Sequence, residues 1–360
     1  MRIRRTFPLV LAVVLVAAAL TLVVQLRKHA PPEAARLLPG ADAFLYINLK
    51  WVRAASPGSQ WPPVTHDPEY ERFIQRTGFQ FERDLDQAAF AVHYPENWPR
   101  GGTGGSAPEP RFSEVLIGKF HSENLSTYLK QVAQSVENYN SVDIFTVPLD
   151  GRSLRIAVLS VDSVAASNHD NADVIRGIVD RSRRLASPFG GPALVRRFYK
   201  HVQFGSVAWA IARVDPAAPD FGGLSALFAK PTELVASGSY LSPLHLRAGV
   251  LHLRAEAYST SSEDARSIAD KVNVFLALFH SAESSIGTKG NDADVKTFFD
   301  SIQVRPEHDR AVLDASVSSA FLRKLLAEPP SELPVPGPQS PQPHSPESQS
   351  PSGRSPAKSR

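Results

Sequence analysis

The residues with the clearest potential for chemistry form a short polar run, His169-Asp-Asn-Ala-Asp173. An imidazole and two carboxylates this close together could supply ligands for a metal ion. The same run precedes an apolar pattern with helical spacing, and Asp170 at a helix start would cap free N–H groups and favour the helix dipole. We therefore interpret this run as a helix start, and we predict no metal site.

Two further groups of polar residues have ordinary explanations. His245 and His252 alternate with leucines in a strand-like region, so we expect both rings to face solvent rather than share a ligand. Asp84-Leu-Asp86 and Asp292-Ala-Asp294 place carboxylates near turns. Glycoside hydrolysis requires paired carboxylates, but solubility alone also accounts for them.

The chain lacks the short motifs that mark common catalytic and nucleotide sites. There is no His-Glu-x-x-His, no Gly-x-Ser-x-Gly, no Rossmann glycine fingerprint and no Walker sequence. The glycine run 101–105 lacks the Lys-Ser/Thr of a phosphate loop, and the absence of cysteine excludes thiolate chemistry. We predict that the protein is not an enzyme, has no catalytic residue and needs no cofactor.

One cluster of positive charge surrounds a Pro/Gly linker at 187–192. It consists of Arg181, Arg183, Arg184, Arg196, Arg197 and Lys200. The cluster could meet anionic lipid headgroups or an acidic partner. Alternatively, its first members complement a helix C-terminus and the others are solvated. The formal net charge of +3 does not favour nucleic acid, and no nucleic-acid partner is expected.

An apolar stretch near the amino end indicates contact with a membrane. Arg2, Arg4 and Arg5 precede an uncharged run over 6–26, which as a helix would span roughly 31 Å. A cleaved signal peptide with a site at 17–19 is the alternative. We predict an uncleaved single-pass anchor in the lipid bilayer of the inner membrane. The N-terminus would lie inside and the bulk of the chain would be extracytoplasmic.

Composition and hydrophobic spacing divide the chain into five parts. We predict a cytoplasmic tail with the anchor (1–28), a linker (29–36), a first lobe (37–186), a second lobe (187–328) and a tail (329–360). The tail is rich in Pro and Ser and has few apolar residues, so it is predicted to be disordered.

The two central parts mix strand and helix signals. Asp67-Pro68 predicts a helix start and Gly78 its end. Asp150-Gly151 predicts a tight hairpin turn, and Ser122 opens a helical pattern that extends to Val136. The frequent tight turns favour an α+β fold of antiparallel sheets with helices on one face. Similar patterns in the two halves suggest duplicated lobes, although any α+β chain could share them.

With these elements placed, the chain resembles a loose group of uncharacterised exported bacterial proteins. The resemblance rests on Leu38-Pro-Gly-Ala-Asp-Ala-Phe-Leu-Tyr46 after the anchor, the block from Tyr139 to the helix ending at Asp180, and Ser262-Glu-Asp-Ala-Arg. It implies the topology above and transfers no catalytic residue.

We therefore expect a non-enzymatic interaction or accessory module of the cell envelope, with an envelope protein as partner. One alternative is a ligand-binding or sensing domain with a cleft between two lobes. Another is a hydrolase built on dispersed carboxylates.

Overall fold

The computed structural model describes residues 30–55, 66–95, 109–149, 151–183, 190–214, 231–240, 250–285 and 293–322. The predicted anchor (6–26) and the predicted disordered tail (329–360) both lie outside these ranges. None of the helices within them is long and apolar enough to cross a bilayer. The transmembrane helix of the predicted fold class is therefore not part of the fold described below.

Helices and strands are interspersed along the described chain. The helices are α1 (Glu33–Leu37), α2 (Leu49–Ala55), α3 (Pro68–Thr77), α4 (Phe81–Asp84), α5 (Ser122–Val132), α6 (Asp173–Arg183), α7 (Ala193–Phe198), α8 (Ser262–Ser285) and α9 (Ala293–Ser301), with a 3-10 turn at Tyr199–His201. The strands are β1 (Ala43–Asn48), β2 (Leu85–His93), β3 (Arg111–Gly118), β4 (Ser135–Tyr139), β5 (Val142–Leu149), β6 (Arg152–Val158), β7 (Ser163–Ser167), β8 (Ser206–Arg213), β9 (Glu233–Ser239), β10 (Val250–Tyr258), β11 (Gln303–Glu307) and β12 (Arg310–Ser318).

All twelve strands belong to one sheet in the order β11-β12-β10-β9-β8-β1-β2-β3-β7-β6-β5-β4. Every neighbouring pair is antiparallel. The two halves of the chain meet where β1 pairs with β8, and Tyr46 lies opposite Trp209. The predicted antiparallel sheets are therefore one continuous sheet, which the two halves of the chain share.

The halves nevertheless resemble each other in the order of their elements. Strands β1-β2-β3 run outward from the centre on one side, and β8-β9-β10 do so on the other. In the first half the chain continues through α5 to the antiparallel pair β4-β5. In the second half it continues through α8 and α9 to the antiparallel pair β11-β12. The first half also inserts β6 and β7 between β3 and β5.

Helices pack on both faces of the sheet, so the predicted arrangement with helices on one face is wrong. Consecutive strand residues point to opposite faces. On the first face, Phe44 and Tyr46 share a core with residues of α1, α6 and α7. On the second face, Phe145 packs with residues of α5, and Ala311 packs with residues of α8.

Local sequence signals account for several element boundaries. The Asp67 carboxylate accepts hydrogen bonds from the backbone N–H groups of Glu69 and Tyr70, and Gly78 ends α3 with a φ of 73°. Both predictions for this helix are confirmed. Gly151 has a φ of 76° between the paired strands β5 and β6, which confirms the predicted hairpin.

The helix predicted to extend to Val136 ends at Val132 instead. Gln134 donates its backbone N–H to the carbonyl of Thr146, and Val136 pairs with Phe145. Strand pairing with β5 therefore takes over residues whose apolar spacing continued the helical pattern.

Candidate functional site

The second face of the sheet carries apolar rows at its centre. Phe79 and Phe73 cover them where Phe90 and Leu116 lie, and the rows are partly exposed at Leu45 and Leu234. Leu45 lies between the buried residues Phe44 and Tyr46 and must point away from them. Strand register places Phe90 and Ala210 on either side of Leu45, in one row across the sheet. The same row continues through Ala236 on β9.

Two parallel rows flank this one and are also apolar. One row contains Phe112, Val92, Ala43, Ala212 and Leu234, and the other contains Leu116, Ala88, Ile47, Ala208 and Gly238. Leu45, Phe112 and Leu234 are 39%, 44% and 42% exposed. We call these three rows the central strip. Exposed apolar surface that is contiguous is typical of an interaction site.

The surface of the central strip is lowest in its middle, because the side chains there are small. Ala208, Ala210 and Ala212 on β8 lie beside Ala236 and Gly238 on β9. Larger side chains from β1, β2 and β3 border this floor on one side. The strip therefore forms a trough rather than a flat surface.

Helix α8 packs over the edge strands β11 and β12, beyond the β9 side of the trough. Asn273 donates to the backbone carbonyl of Val304 on the edge strand β11, so its side of α8 faces the sheet edge. Phe275 follows two residues later and lies about 200° around the helix, on the side towards the sheet centre. Phe275 is 50% exposed and Leu278, one turn on, is 64% exposed.

One carboxyl group interrupts the central row. Glu114 lies opposite Phe90 on one side and Ala166 on the other. Burial raises the pKa of Glu114, since the apolar surroundings disfavour its charged form.

The first face of the sheet contains a cavity of about 440 Å³. Residues from α1, β1, β2, β3, the β6–β7 turn and α6 line it: Pro32, Glu33, Leu37, Tyr46, Gln87, Ile117, Leu159, Ser160, Asp162, Ser163 and Ser182. The cavity lies within the first half of the chain and not at the junction of two lobes, where a cleft was predicted.

A pair of polar side chains contributes to the cavity beside the buried aromatic core. The Tyr46 hydroxyl donates to Oε1 of Gln87 at 2.9 Å and accepts from the Asn48 amide at 3.3 Å. The ring of Tyr46 stacks on Trp209 with centroids 5.5 Å apart. Burial raises the pKa of Tyr46, so the phenol stays protonated.

A serine–histidine contact superficially resembles a catalytic pair. Nε2 of His93 lies 3.0 Å from the Ser113 hydroxyl, which lies 2.9 Å from the Ser167 hydroxyl. Both serines and His93 are buried, and burial lowers the pKa of His93 to about 4. A nucleophile needs access to its substrate, so we interpret this contact as a polar link between β2, β3 and β7.

A charged cluster lies on the first face near the other end of the sheet. Buried Glu256 accepts hydrogen bonds from the Tyr258 hydroxyl at 2.6 Å and from Nε of Arg254 at 2.8 Å. Nη1 of Arg310 lies 3.1 Å from the same carboxylate. The cluster neutralises a buried charge, as such groups require.

The polar run at 169–173 does not form the cap that its sequence suggested. Asp170 forms an ion pair with Arg111 at 3.0 Å. The side chain of Asn171, not Asp170, accepts from the backbone N–H of Asp173 at the start of α6. Within the described ranges, no group of three or more His, Asp or Glu side chains could hold a metal ion.

The other polar candidates are placed as follows. His245 and Asp292 lie outside the described residues. His252 contacts the Ser316 hydroxyl through Nδ1 at 3.3 Å, and its Nε2 is buried, so the ring does not simply face solvent. Asp84 is paired with Arg83, and this hydrogen bond lowers the pKa of Asp84.

Two members of the predicted positive cluster donate hydrogen bonds to backbone carbonyl groups of other elements. Nε of Arg181 donates to the carbonyl of Leu37 at 2.7 Å, and burial lowers the pKa of Arg181. Arg183 donates to the carbonyl of Ser141 at 3.0 Å. These contacts join α6 to α1 and to the β4–β5 turn.

The remaining members lie on either side of the linker. Arg184 lies outside the described residues. Arg196, Arg197 and Lys200 are all exposed, and Arg197 lies 3.6 Å from the carboxylate of Glu233. An anionic-partner patch here stays a prediction.

The central strip depends on strand register and on the small side chains of β8 and β9, neither of which a local sequence pattern shows. Uninterrupted apolar runs such as 88–92 and 207–212 were the available signal. Such runs are typical of strands with apolar side chains on both faces.

The chain matches no protein-family model and no curated protein sequence. Solved structures of crystal forms IV, I and III of TP0453 resemble it, with TM-scores of 0.40, 0.39 and 0.39. Each is 8% identical and covers 83% of this chain, and the shares of the TP0453 chains covered are 98%, 98% and 99%. Similarity at this level does not establish a function.

Proposed function

We propose that this protein is a non-enzymatic interaction module that receives an amphipathic helix of a partner protein in the trough of the central strip. The observation that carries the proposal is the exposure of Leu45, Phe112 and Leu234 within three apolar rows. An extracytoplasmic location and a partner from the cell envelope belong to the proposal and rest on the sequence alone.

The dimensions of the trough favour a helix as the occupant. From the bordering strand β1 to β10 the trough spans three strand spacings, or roughly 14 Å. A helix with its side chains is about 10–12 Å wide. The alanines and glycine of β8 and β9 allow a helix backbone to approach closely, while Phe112, Leu45 and Phe275 would contact its sides.

The chemistry of the trough also favours an apolar helix face. Glu114 is the one ionisable residue among the three rows between β3 and β9, and burial raises its pKa because apolar surroundings disfavour the charged form. A partner helix would therefore bring Leu, Ile or Phe at spacings of three and four residues and keep its charged side in solvent.

In-cell photocrosslinking tests this proposal directly. A benzophenone amino acid would replace Leu45 in the trough or, as a matched control, Phe204, which is 63% exposed outside it. We expect a single adduct from position 45, mapped by mass spectrometry to an amphipathic helical segment of another protein. No such adduct should form from position 204.

A synthetic peptide of the crosslinked segment provides the quantitative step. It should bind the unmodified chain, and its affinity should fall at least tenfold in a Phe112→Ser, Leu234→Ser double variant but not in Phe204→Ser. An adduct with twice the mass of this chain would instead identify a second copy, and an adduct with lipid would identify a membrane surface. Either result, or no adduct, would overturn the proposal.

A further inference from the structure

A histidine on the 3-10 turn at Tyr199–His201 contacts the charged cluster on the first face of the sheet. Nη1 of Arg310 lies 3.0 Å from Nδ1 of His201. We propose that this contact is an acid-sensitive latch, in which protonation of His201 loosens the 3-10 turn from the sheet. The trough of the central strip lies on the opposite face, so the inference does not rest on the proposed function.

The geometry of the contact requires a neutral ring. Arginine has N–H donors and no acceptor. Nδ1 of His201 must therefore accept the hydrogen bond from Arg310 with its lone pair, and Nε2 carries the ring proton. A second proton would occupy that lone pair, which removes the acceptor and places two positive groups 3.0 Å apart. Protonation therefore converts the attraction between the turn and β12 into repulsion.

Glu256 is the one acid among the charged and titratable groups that face the ring, and it is already paired. These groups are Arg254, Glu256 and Tyr258 on β10, Arg310 on β12 and Lys200 on the turn itself. The Glu256 carboxylate lies 3.5 Å from Nδ1 of His201. It accepts from Tyr258 at 2.6 Å and from Arg254 at 2.8 Å, and it pairs with Arg310 at 3.1 Å. A charged imidazole would therefore add a further cation to a carboxylate that two arginines already neutralise.

The same surroundings set the direction of the pH dependence. Burial lowers the pKa of His201 below its ordinary value, and the positive charges of Arg310, Lys200 and Arg254 lower it further, whereas Glu256 opposes them. The folded chain therefore binds this proton less readily than the unfolded chain does. The stabilisation from the latch is complete above about pH 6.5, the ordinary histidine pKa, and is lost as pH falls from there through the lowered pKa.

Side-chain packing holds the 3-10 turn on the sheet. The ring of Tyr199 meets Trp209 edge-on with centroids 5.5 Å apart, and the ring of His201 lies 5.4 Å from that of Tyr258. The turn is not paired as a strand, so it can open locally while the sheet stays folded. Phe198, at the end of α7, is 3% exposed and stays in the core. Opening of the turn would therefore expose one side of Trp209 and of Tyr258.

Hydrogen–deuterium exchange of the full chain tests the latch locally. Exchange is measured by mass spectrometry at pH 7 and pH 5, with exchange times scaled for the intrinsic pH dependence of amide exchange. We expect peptides covering 199–205 to lose protection by about threefold or more at pH 5, while peptides from α6 and β8 keep theirs. His93 also has a lowered pKa, but loosening around it would appear in peptides from β2, β3 and β7.

Matched variants identify the groups responsible. In His201→Asn, Oδ1 takes the place of Nδ1 as acceptor and cannot be protonated, so residues 199–205 should be equally protected at both pH values. Arg310→Met removes the repelling charge, so the acid-induced loss should also vanish. His121→Asn, which replaces an exposed histidine just before α5, should behave as the wild type.

Unchanged protection of residues 199–205 between the two pH values in the wild type would overturn the inference. An acid-induced loss that persists in His201→Asn or in Arg310→Met would also overturn it. NMR titration of the His201 ring in the wild type covers the case in which a variant does not fold. We expect that ring to ionise at lower pH than in the urea-unfolded chain, and ionisation at the same or higher pH would refute the latch. None of these outcomes bears on the crosslinking experiment, so the latch and the central strip stand or fall separately.

Discussion

Replacement of Glu256 tests whether the charged cluster stabilises the outer part of the second half of the sheet. Glu256 is almost fully buried, accepts hydrogen bonds from Tyr258 and Arg254, and forms an ion pair with Arg310. Removing one member of a buried ion pair costs about 3–5 kcal/mol because the other charge is left without a partner. Here Arg254 keeps Asp314 at 3.4 Å, and Arg310 keeps another carboxylate at 2.9 Å.

Because these partners remain, we expect Glu256→Leu to lower the free energy of unfolding by about 3 kcal/mol, the low end of the range for a broken buried ion pair. Glu256→Gln keeps hydrogen-bonding capacity and should cost about 1.5 kcal/mol. A double-mutant cycle with Arg254→Met should give a coupling energy of about 1–2 kcal/mol. The cycle is measured by urea unfolding followed through tryptophan fluorescence.

The control for this series is an exposed ion pair. Glu69 lies 3.7 Å from Arg72 in α3, and both side chains are largely in solvent. Glu69→Gln should therefore change stability by less than about 0.5 kcal/mol. If Glu256→Leu costs no more than this control, the cluster is screened by solvent and the reasoning from burial is wrong.

Two further variants test the sheet. Glu114→Gln should stabilise the protein at neutral pH, because burial raises the folded-state pKa of Glu114. The folded wild type then holds its proton more tightly than the unfolded chain, so its stability falls as pH rises from about 4.3 through the raised pKa. A stability difference that does not change with pH would contradict this. Gly118→Ala should cost about 3 kcal/mol because the new Cβ would lie 2.5 Å from the carbonyl oxygen of Asp84, whereas Gly40→Ala meets nothing within 4 Å. Equal urea midpoints for the two glycine variants would refute the predicted clash.

Signals that act within a few residues were readable from the sequence. The start of α3 depends on the Asp67 side chain and on Pro68, and its end depends on the left-handed conformation of Gly78. The β5–β6 hairpin depends similarly on Gly151. In each case the residue type itself determines the local backbone.

Pairing between distant segments was not readable in the same way. Val136 continues the apolar spacing of α5. It is nevertheless in a strand, because it pairs with β5 in a ladder that begins at Thr146. Likewise, β1 and β8 each looked like an ordinary strand, and no local signal shows that Tyr46 lies opposite Trp209.

The candidate sites depend on these distant pairings and were therefore missed. The central strip appears only when register aligns Leu45 with Ala210 and Ala236 across three strands. The cavity requires α1, β2 and the β6–β7 turn to meet on one face. Composition showed the residues but not their arrangement.

The pairing of β1 with β8 has a consequence for synthesis on the ribosome. Until residues 206–213 have emerged, β1 can pair only with β2, and its other edge carries free N–H and C=O groups. An unpaired strand edge with the apolar sequence Ala-Phe-Leu-Tyr-Ile can form backbone hydrogen bonds with another chain. The first half thus remains vulnerable to aggregation for more than 150 residues of elongation, about ten seconds or more at typical rates. A nascent chain stalled before residue 206 should recruit chaperones that one stalled after residue 240 does not.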